Sequence, residues 1–302
     1  MYKGCITDIP GVLAGHYTDK ENETGCTVMV LGESGGVVGV DVRGSAPGTR
    51  ETDLCRPMNA VQQANAILLS GGSAFGLAAA DGVMRWLEAR GMGLDTGDSL
   101  VPIVPAAVLY DLGVGSSTVR PDVQAGYAAC EAAVETPLKQ GRYGAGTGAT
   151  VGKAAGMEFA AYGGIGCASV ELPGGVIVAA CFAVNALGDV YSHETGKRVA
   201  GQLYGTVNDA LMQFAEPDMA GKNTTIGVIG TNAALTKEQA NKLAAMGQDG
   251  VAMCVRPAHT MFDGDTVFAF SLGDLPCSIH AVLAAGAEAA ARAIVNAVGA
   301  GA

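Results

Sequence analysis

Short apolar runs that begin or end at glycine constrain this chain most. Cys26–Leu31 (CTVMVL), Val37–Val42 (VVGVDV), Ala66–Leu69 (AILL) and Val176–Val184 (VIVAACFAV) are of strand length and rich in apolar residues on both alternating sets of positions. They read as strands covered on both faces. Glycine fills 45 of the 302 positions, roughly twice the usual share of about 7%. It has no collagen-like period, so it marks tight turns and close backbone approach. Between these runs lie helical patterns. Ala74–Arg90 carries apolar residues at helical spacing and stops at Gly91, a suitable C-cap. Asp122–Val134 reads as a second helix. A third starts near Thr236, where Thr236 and Gln239 form a capping box and Leu235 is placed as a hydrophobic staple. Thr266–Ser271 is strand-like, and Ile279–Val298 closes the chain as a helix. Strands and helices alternate without a long linker or an internal repeat, which predicts an α/β fold in a single domain, 1–302.

Composition narrows the function. Apolar residues make up 49% of the chain, enough for a large core. The net charge is −11 with no basic cluster, which argues against nucleic acid and anionic membranes as partners. The longest apolar run, Val176–Val184, is about half of what a membrane span needs, and Glu288 with Arg292 at i,i+4 suits a soluble C-terminal helix. The eight cysteines form no CxxC and the four histidines no HExxH, so neither a metal nor a cofactor is expected. The N-terminus has no apolar signal core, from which free thiols and a cytoplasmic location are expected.

Three glycine-rich segments resemble functional loops. Gly146–Lys153 (GTGATVGK) resembles a phosphate loop, but its Gly–Gly spacing is one residue too long and Ala154 stands where Ser or Thr would meet magnesium. Gly144-Ala-Gly146 is too short to define a dinucleotide fingerprint. Gly71-Gly-Ser73-Ala-Phe75 lacks the final glycine of a nucleophile elbow. All three read as structural turns.

The segment Glu216–Asn223 (EPDMAGKN) is the most polar stretch, and it runs directly into the apolar pattern Thr224–Thr231 (TTIGVIGT). The residues alone leave three readings of Asn223-Thr224-Thr225. It matches a glycosylation sequon; it is a plain loop-to-strand junction; or it is a self-cleavage site. In the last, the Thr224 hydroxyl attacks the preceding carbonyl and water then releases a new N-terminal threonine, whose amine (pKa about 7.7–8.0) serves as the base for its own hydroxyl.

Several segments together carry a resemblance that covers nearly the whole chain: Arg43–Gly48 (RGSAPG), Ala66–Leu77 (AILLSGGSAFGL), Pro105–Tyr110 (PAAVLY), Gly144–Lys153, Gly163–Gly166, Val184–Asp189 (VNALGD), Asn223–Ala233 (NTTIGVIGTNA) and His259–Phe268 (HTMFDGDTVF). In these the chain resembles the β-peptidyl aminopeptidases, L-aminopeptidase/D-esterases and nylon-oligomer hydrolases, N-terminal-nucleophile-like enzymes. The resemblance implies a four-layer αββα sandwich. It also implies self-cleavage into fragments 1–223 and 224–302, and homotetramers of cut protomers.

By the same resemblance Thr224 is the nucleophile and Asn223 ends the large fragment. Asn185 is matched to the oxyanion donor; on its own it also suits a turn before Gly188-Asp189. Asp263 and Asp265 are matched to two acids that handle the nucleophile, although Asp263-Gly264 is also a hairpin-turn signal. Lys153 and Tyr110 match site positions of the nylon-oligomer branch; alone, they read as a solvated helix residue and a core tyrosine. The better-known aminopeptidases use serine as nucleophile and lack an acid where Asp263 stands. The substrate is thus a small amide or peptide, either a linear amide of ω-amino acids or a short peptide with a free amino end. Two rival expectations are an uncut ligand-binding protein, which predicts one band on a denaturing gel, and a nucleotide-binding enzyme using Gly144–Lys153.

Overall fold

In the computed structural model, which describes residues 1–213 and 222–300, the glycine-bounded runs become the strands of two stacked sheets. The principal strands are β1 (Val12–Asp19), β2 (Thr24–Leu31), β3 (Gly36–Val42), β4 (Gly48–Arg50), β5 (Ala66–Ser70), β6 (Ala106–Val108), β7 (Gly164–Leu172), β8 (Val176–Asn185), β9 (Thr224–Ala233) and β10 (Thr266–Leu275). The first sheet runs β1-β2-β5-β6-β4. The second runs β7-β8-β9-β10-β3, with the short strand Gln63–Ala64 at its edge. In the second sheet β8 pairs antiparallel with β9, β9 parallel with β10, and β10 antiparallel with β3.

The two-residue period of a strand sorts side chains between layers. In β2, Met29 and Leu31 face the second sheet, while Cys26, Val28 and Val30 face helices α1 (Ala79–Glu88) and α2 (Val123–Glu131). In the second sheet Cys181, Ile226, Val228, Phe268 and Phe270 fill the space between the sheets. Phe182, Ile229, Val267 and Ala269 pack on α3 (Lys237–Cys254) and α4 (Ile279–Gly299). Helix, sheet, sheet, helix is the four-layer order that the resemblance implies. Close packing explains part of the glycine content: a Cβ on Gly227 in β9 would lie 2.3 Å from the ring of Phe182 on β8.

The four helices placed by the sequence form, a further short helix at Val207–Gln213 is one the sequence reading did not place, and the capping box of α3 forms, with Thr236 N–H donating to Gln239 at 2.9 Å. Two details differ. Ser73–Ala78 is a 3-10 helix before α1, and within it a Cβ on Gly76 would clash with the Gly71 carbonyl oxygen. β3 is only partly covered; Val42 is exposed. α4 is long and apolar enough to cross a membrane by length and composition, yet it packs along the second sheet, and Arg292 pairs with Glu288 at 2.7 Å. All eight cysteines are free thiols, with only Cys277 exposed. Of the polar stretch expected as a loop, 216–221 lies outside the described residues.

Candidate active site

Three strand ends meet at the junction singled out by the sequence. Asn185 closes β8 and pairs in register with Thr224, the first residue of β9. The alternation that sends Cys181 and Ile226 between the sheets places Asn185 and Thr224 on that same face. Asn223 forms a parallel bridge with Asp263, on the approach to β10. The Thr224 hydroxyl donates to the Asn223 carbonyl oxygen. The same oxygen accepts the Gly264 N–H at 2.9 Å. The segment 43–46 braces this approach: the amides of Arg43 and Gly44 donate to the Asp265 carbonyl at 3.0 and 3.1 Å, and that of Ala46 to the Asp263 carbonyl at 2.9 Å.

A buried polar cluster lies upstream of the junction. Lys153 follows Gly152, which turns the chain with a φ of +74°. Its Nζ donates to the carbonyl and the side-chain oxygen of Asn185, both at 2.9 Å, and to the Lys222 carbonyl at 3.3 Å. Asn185 Nδ2 donates to the carbonyls of Tyr110 at 2.9 Å and Lys222 at 3.4 Å, and its Oδ1 accepts the Thr150 amide at 3.0 Å. Tyr110 therefore meets Asn185 through its main chain. Lys153 is almost wholly buried, unlike the solvated residue its sequence context suggests. Burial lowers its pKa to about 7, against the opposing charge of Asp263.

This shift fixes a pH dependence. The folded-state pKa lies below the unfolded value of about 10.4, so between about pH 7 and 10 the unfolded chain binds more protons and stability rises with pH. In a Thr224→Ala background, urea midpoints should rise from pH 7 to 8.5 more than in the same chain carrying Lys153→Met. Equal slopes in the two would show that Lys153 is not held this way.

The two acids are separately anchored. Asp263 Oδ2 accepts from the Thr260 amide at 2.9 Å and the Thr260 hydroxyl at 2.5 Å. Burial and then the charge of Asp265 raise its pKa above the usual carboxylate range. Asp265 Oδ1 accepts the Thr225 amide at 2.6 Å. Its Oδ2 accepts the amide of His259 at 3.1 Å and Nδ1–H at 2.8 Å. Burial pulls the His259 pKa down, but the hydrogen bond to Asp265 and that carboxylate's charge outweigh it, and the net shift is upward. Asp263-Gly264 is not a hairpin turn; it leads into a strand parallel to β9.

Thr224, Asn223, Asn185, Lys153, Asp263, Asp265 and the Tyr110 carbonyl thus share one buried neighbourhood. Sequence reasoning missed His259, Thr260, Thr150 and the Gly264 amide. The repeat of polar residues in His259-Thr260-x-x-Asp263-x-Asp265 was the available signal for the first two. The phosphate-loop rival fares poorly. Amides of Gly144, Ala145, Gly146, Thr147 and Ala149 are committed to internal acceptors, and Lys153 serves Asn185 and Lys222. Among the described residues, His193, Glu194 and Glu288 bring possible metal-ligand atoms within 4.8 Å of one another. There His193 and Arg292 already pair with Glu288.

The fold is one that a known hydrolase shares. The chain is 19% identical to the L-aminopeptidase D-Ala-esterase/amidase of Ochrobactrum anthropi, with a TM-score of 0.75 over 98% of this chain and 86% of that one. That structure is described as a variant of the Ntn-hydrolase fold, and this chain shares its fold. Residues 4–302 match peptidase family S58. An uncharacterised aminopeptidase of Mycobacterium tuberculosis (strain ATCC 25618 / H37Rv) is 44% identical, covering 97% of this chain and 93% of the relative. The 6-aminohexanoate-oligomer endohydrolase of Kocuria sp. (strain KY2) is 32% identical, covering 89% and 75%. The chain belongs to peptidase family S58 and is an amide-hydrolysing enzyme.

Proposed function

We propose that the chain cuts itself between Asn223 and Thr224 and then hydrolyses small linear amides with Thr224 as its N-terminal nucleophile. The observation that carries this is the Thr224 hydroxyl seated on the carbonyl of the residue before it, in a buried and already assembled site. Thr224 Oγ bonds to the Asn223 carbonyl carbon, the carbonyl π pair moves to oxygen, and the hydroxyl proton leaves to the Asp263–Asp265 pair. The C–N bond then breaks as the Thr224 nitrogen takes up a proton, leaving an ester. Water adds to that ester, giving the Asn223 carboxylate and restoring the hydroxyl. In the cut enzyme the Thr224 amine takes the hydroxyl proton as Oγ attacks a substrate amide. Asn185 and Lys153 both donate to the Lys222 carbonyl here, and release of that carbonyl after the cut would leave them to the substrate oxyanion. Nearby carboxylates favour the charged amine and raise its pKa, so kcat/KM falls on the acid side.

The Asn-Thr junction with two aspartates favours linear amides of ω-amino acids, the chemistry named for the relative from Kocuria. Aminopeptidase action on short peptides is the second reading, favoured by the names of the relatives at 43–44% identity. We take the cut protomers to remain paired fragments in a cytoplasmic homotetramer. The test is a panel of 6-aminohexanoate oligomers, β-peptides and aminoacyl amides with products read by mass spectrometry. Preference for the oligomers supports the first reading, and preference for a free α-amine the second. Turnover undiminished by Thr224→Ala would sink both.

A further inference from the structure

We infer that the peptide N–H of Gly264 is an oxyanion donor for the self-cleavage step; this rests on the proposed cut at Asn223–Thr224. The Asn223 carbonyl oxygen accepts from the Thr224 hydroxyl and from the Gly264 N–H at 2.9 Å. The two fare differently as the reaction starts. Attack by Oγ removes the hydroxyl proton, so the Thr224 contribution vanishes while charge builds on the oxygen. The Gly264 N–H stays. The side-chain donors of the upstream cluster serve a different atom: Asn185 Nδ2 and Lys153 Nζ both reach the Lys222 carbonyl, one residue earlier.

The donor is preorganised, as electrostatic catalysis requires. The Asp263–Gly264 peptide unit is held at both poles, its carbonyl by the Ala46 amide at 2.9 Å and its N–H by Asn223. On the far side of Gly264, the Asp265 carbonyl is pinned by the amides of Arg43 and Gly44. The residue type is dictated by the same closeness. A Cβ at 264 would stand 2.6 Å from the Ala46 carbonyl oxygen and 2.9 Å from Thr224 Oγ1. Only glycine lets this amide approach the scissile carbonyl without crowding the nucleophile.

Replacing Gly264 by glycolic acid, through ribosomal incorporation of the hydroxy acid, exchanges this one N–H for an ester oxygen. Self-cleavage should then slow about a hundredfold or more, with an unchanged circular dichroism spectrum. Phenyllactic acid at Phe268, which removes an amide N–H farther along β10, should cut at the parental rate. A glycolate chain that cuts as fast as the parent overturns the inference while leaving the self-cleavage reading intact. A parent chain that never cuts sinks that reading itself. Should the glycolate chain fail to fold, lactic acid at Ala46 decides, because it removes only the amide that steadies the Asp263 carbonyl. Slowing of about tenfold there supports the assignment, and a parental rate overturns it.

Discussion

Thr224→Ala is expected to give a single band at 30.2 kDa on a denaturing gel, where the parent gives fragments of about 22 and about 8 kDa. The smaller fragment should begin with threonine. The substitution removes the attacking oxygen and little else. Thr224 is buried at the start of β9, where alanine fits, and the main-chain pairing with Asn185 does not depend on the side chain. Among the described residues the hydrogen bond lost runs to the Asn223 carbonyl, which keeps its partner at Gly264. Folding should therefore survive while cutting and amide turnover both vanish. A Thr224→Ala chain that still separates into two fragments would place the nucleophile elsewhere. Parent chains that remain whole yet hydrolyse amides would detach the activity from the cut.

Asp263→Asn and Asp265→Asn should each slow maturation or turnover by at least tenfold, a barrier change of about 1.4 kcal/mol. Asparagine keeps the shape and removes the charge. Asp265 accepts from three donors, the amides of Thr225 and His259 and the His259 ring, and an NH2 group facing any of them loses that bond. The upward pull on the His259 pKa should go with it, so the histidine should titrate at lower pH. Asp263 is held by Thr260 and lies near enough to Asp265 to feel that carboxylate's charge. Before the cut, Thr224 offers this pair only a neutral amide; afterwards it offers an ammonium. Band ratios over time and the activity of whatever matures are the measurements. Two variants that cut and turn over like the parent would leave the carboxylates as loop anchors alone.

What the sequence made legible follows from how locally each feature is encoded. Strands and helices carry their period and their caps within a dozen residues, as in Cys26–Leu31 or Thr236–Gln239, and these were recoverable. The site was legible mainly as side chains. Asp263-Gly264 has the local chemistry of a turn, but its neighbours in space, Asn223 on one side and Ala46 on the other, impose an extended path. His259 reaches Asp265 from a left-handed position, φ +58°, a conformation its own sequence does not announce. The Gly264 amide and the Tyr110 carbonyl act through the main chain, which every residue carries, so no residue type advertises them.

The strand order of the second sheet changes the character of the folding equilibrium once the chain is cut. β9 and β10 lie between β8 on one side and β3 on the other, and the proposed cut lies at the first residue of β9. The proposed self-cleavage needs β8, β9 and the approach to β10 already in register, so a chain would be severed only after its sheet is complete. Severing would then make refolding bimolecular. A precursor such as Thr224→Ala should refold at a rate independent of protein concentration, whereas unfolded, separated fragments must first find one another. An enzyme cut in this way would persist by the slowness of its unfolding, and each cut would record that one chain has folded correctly.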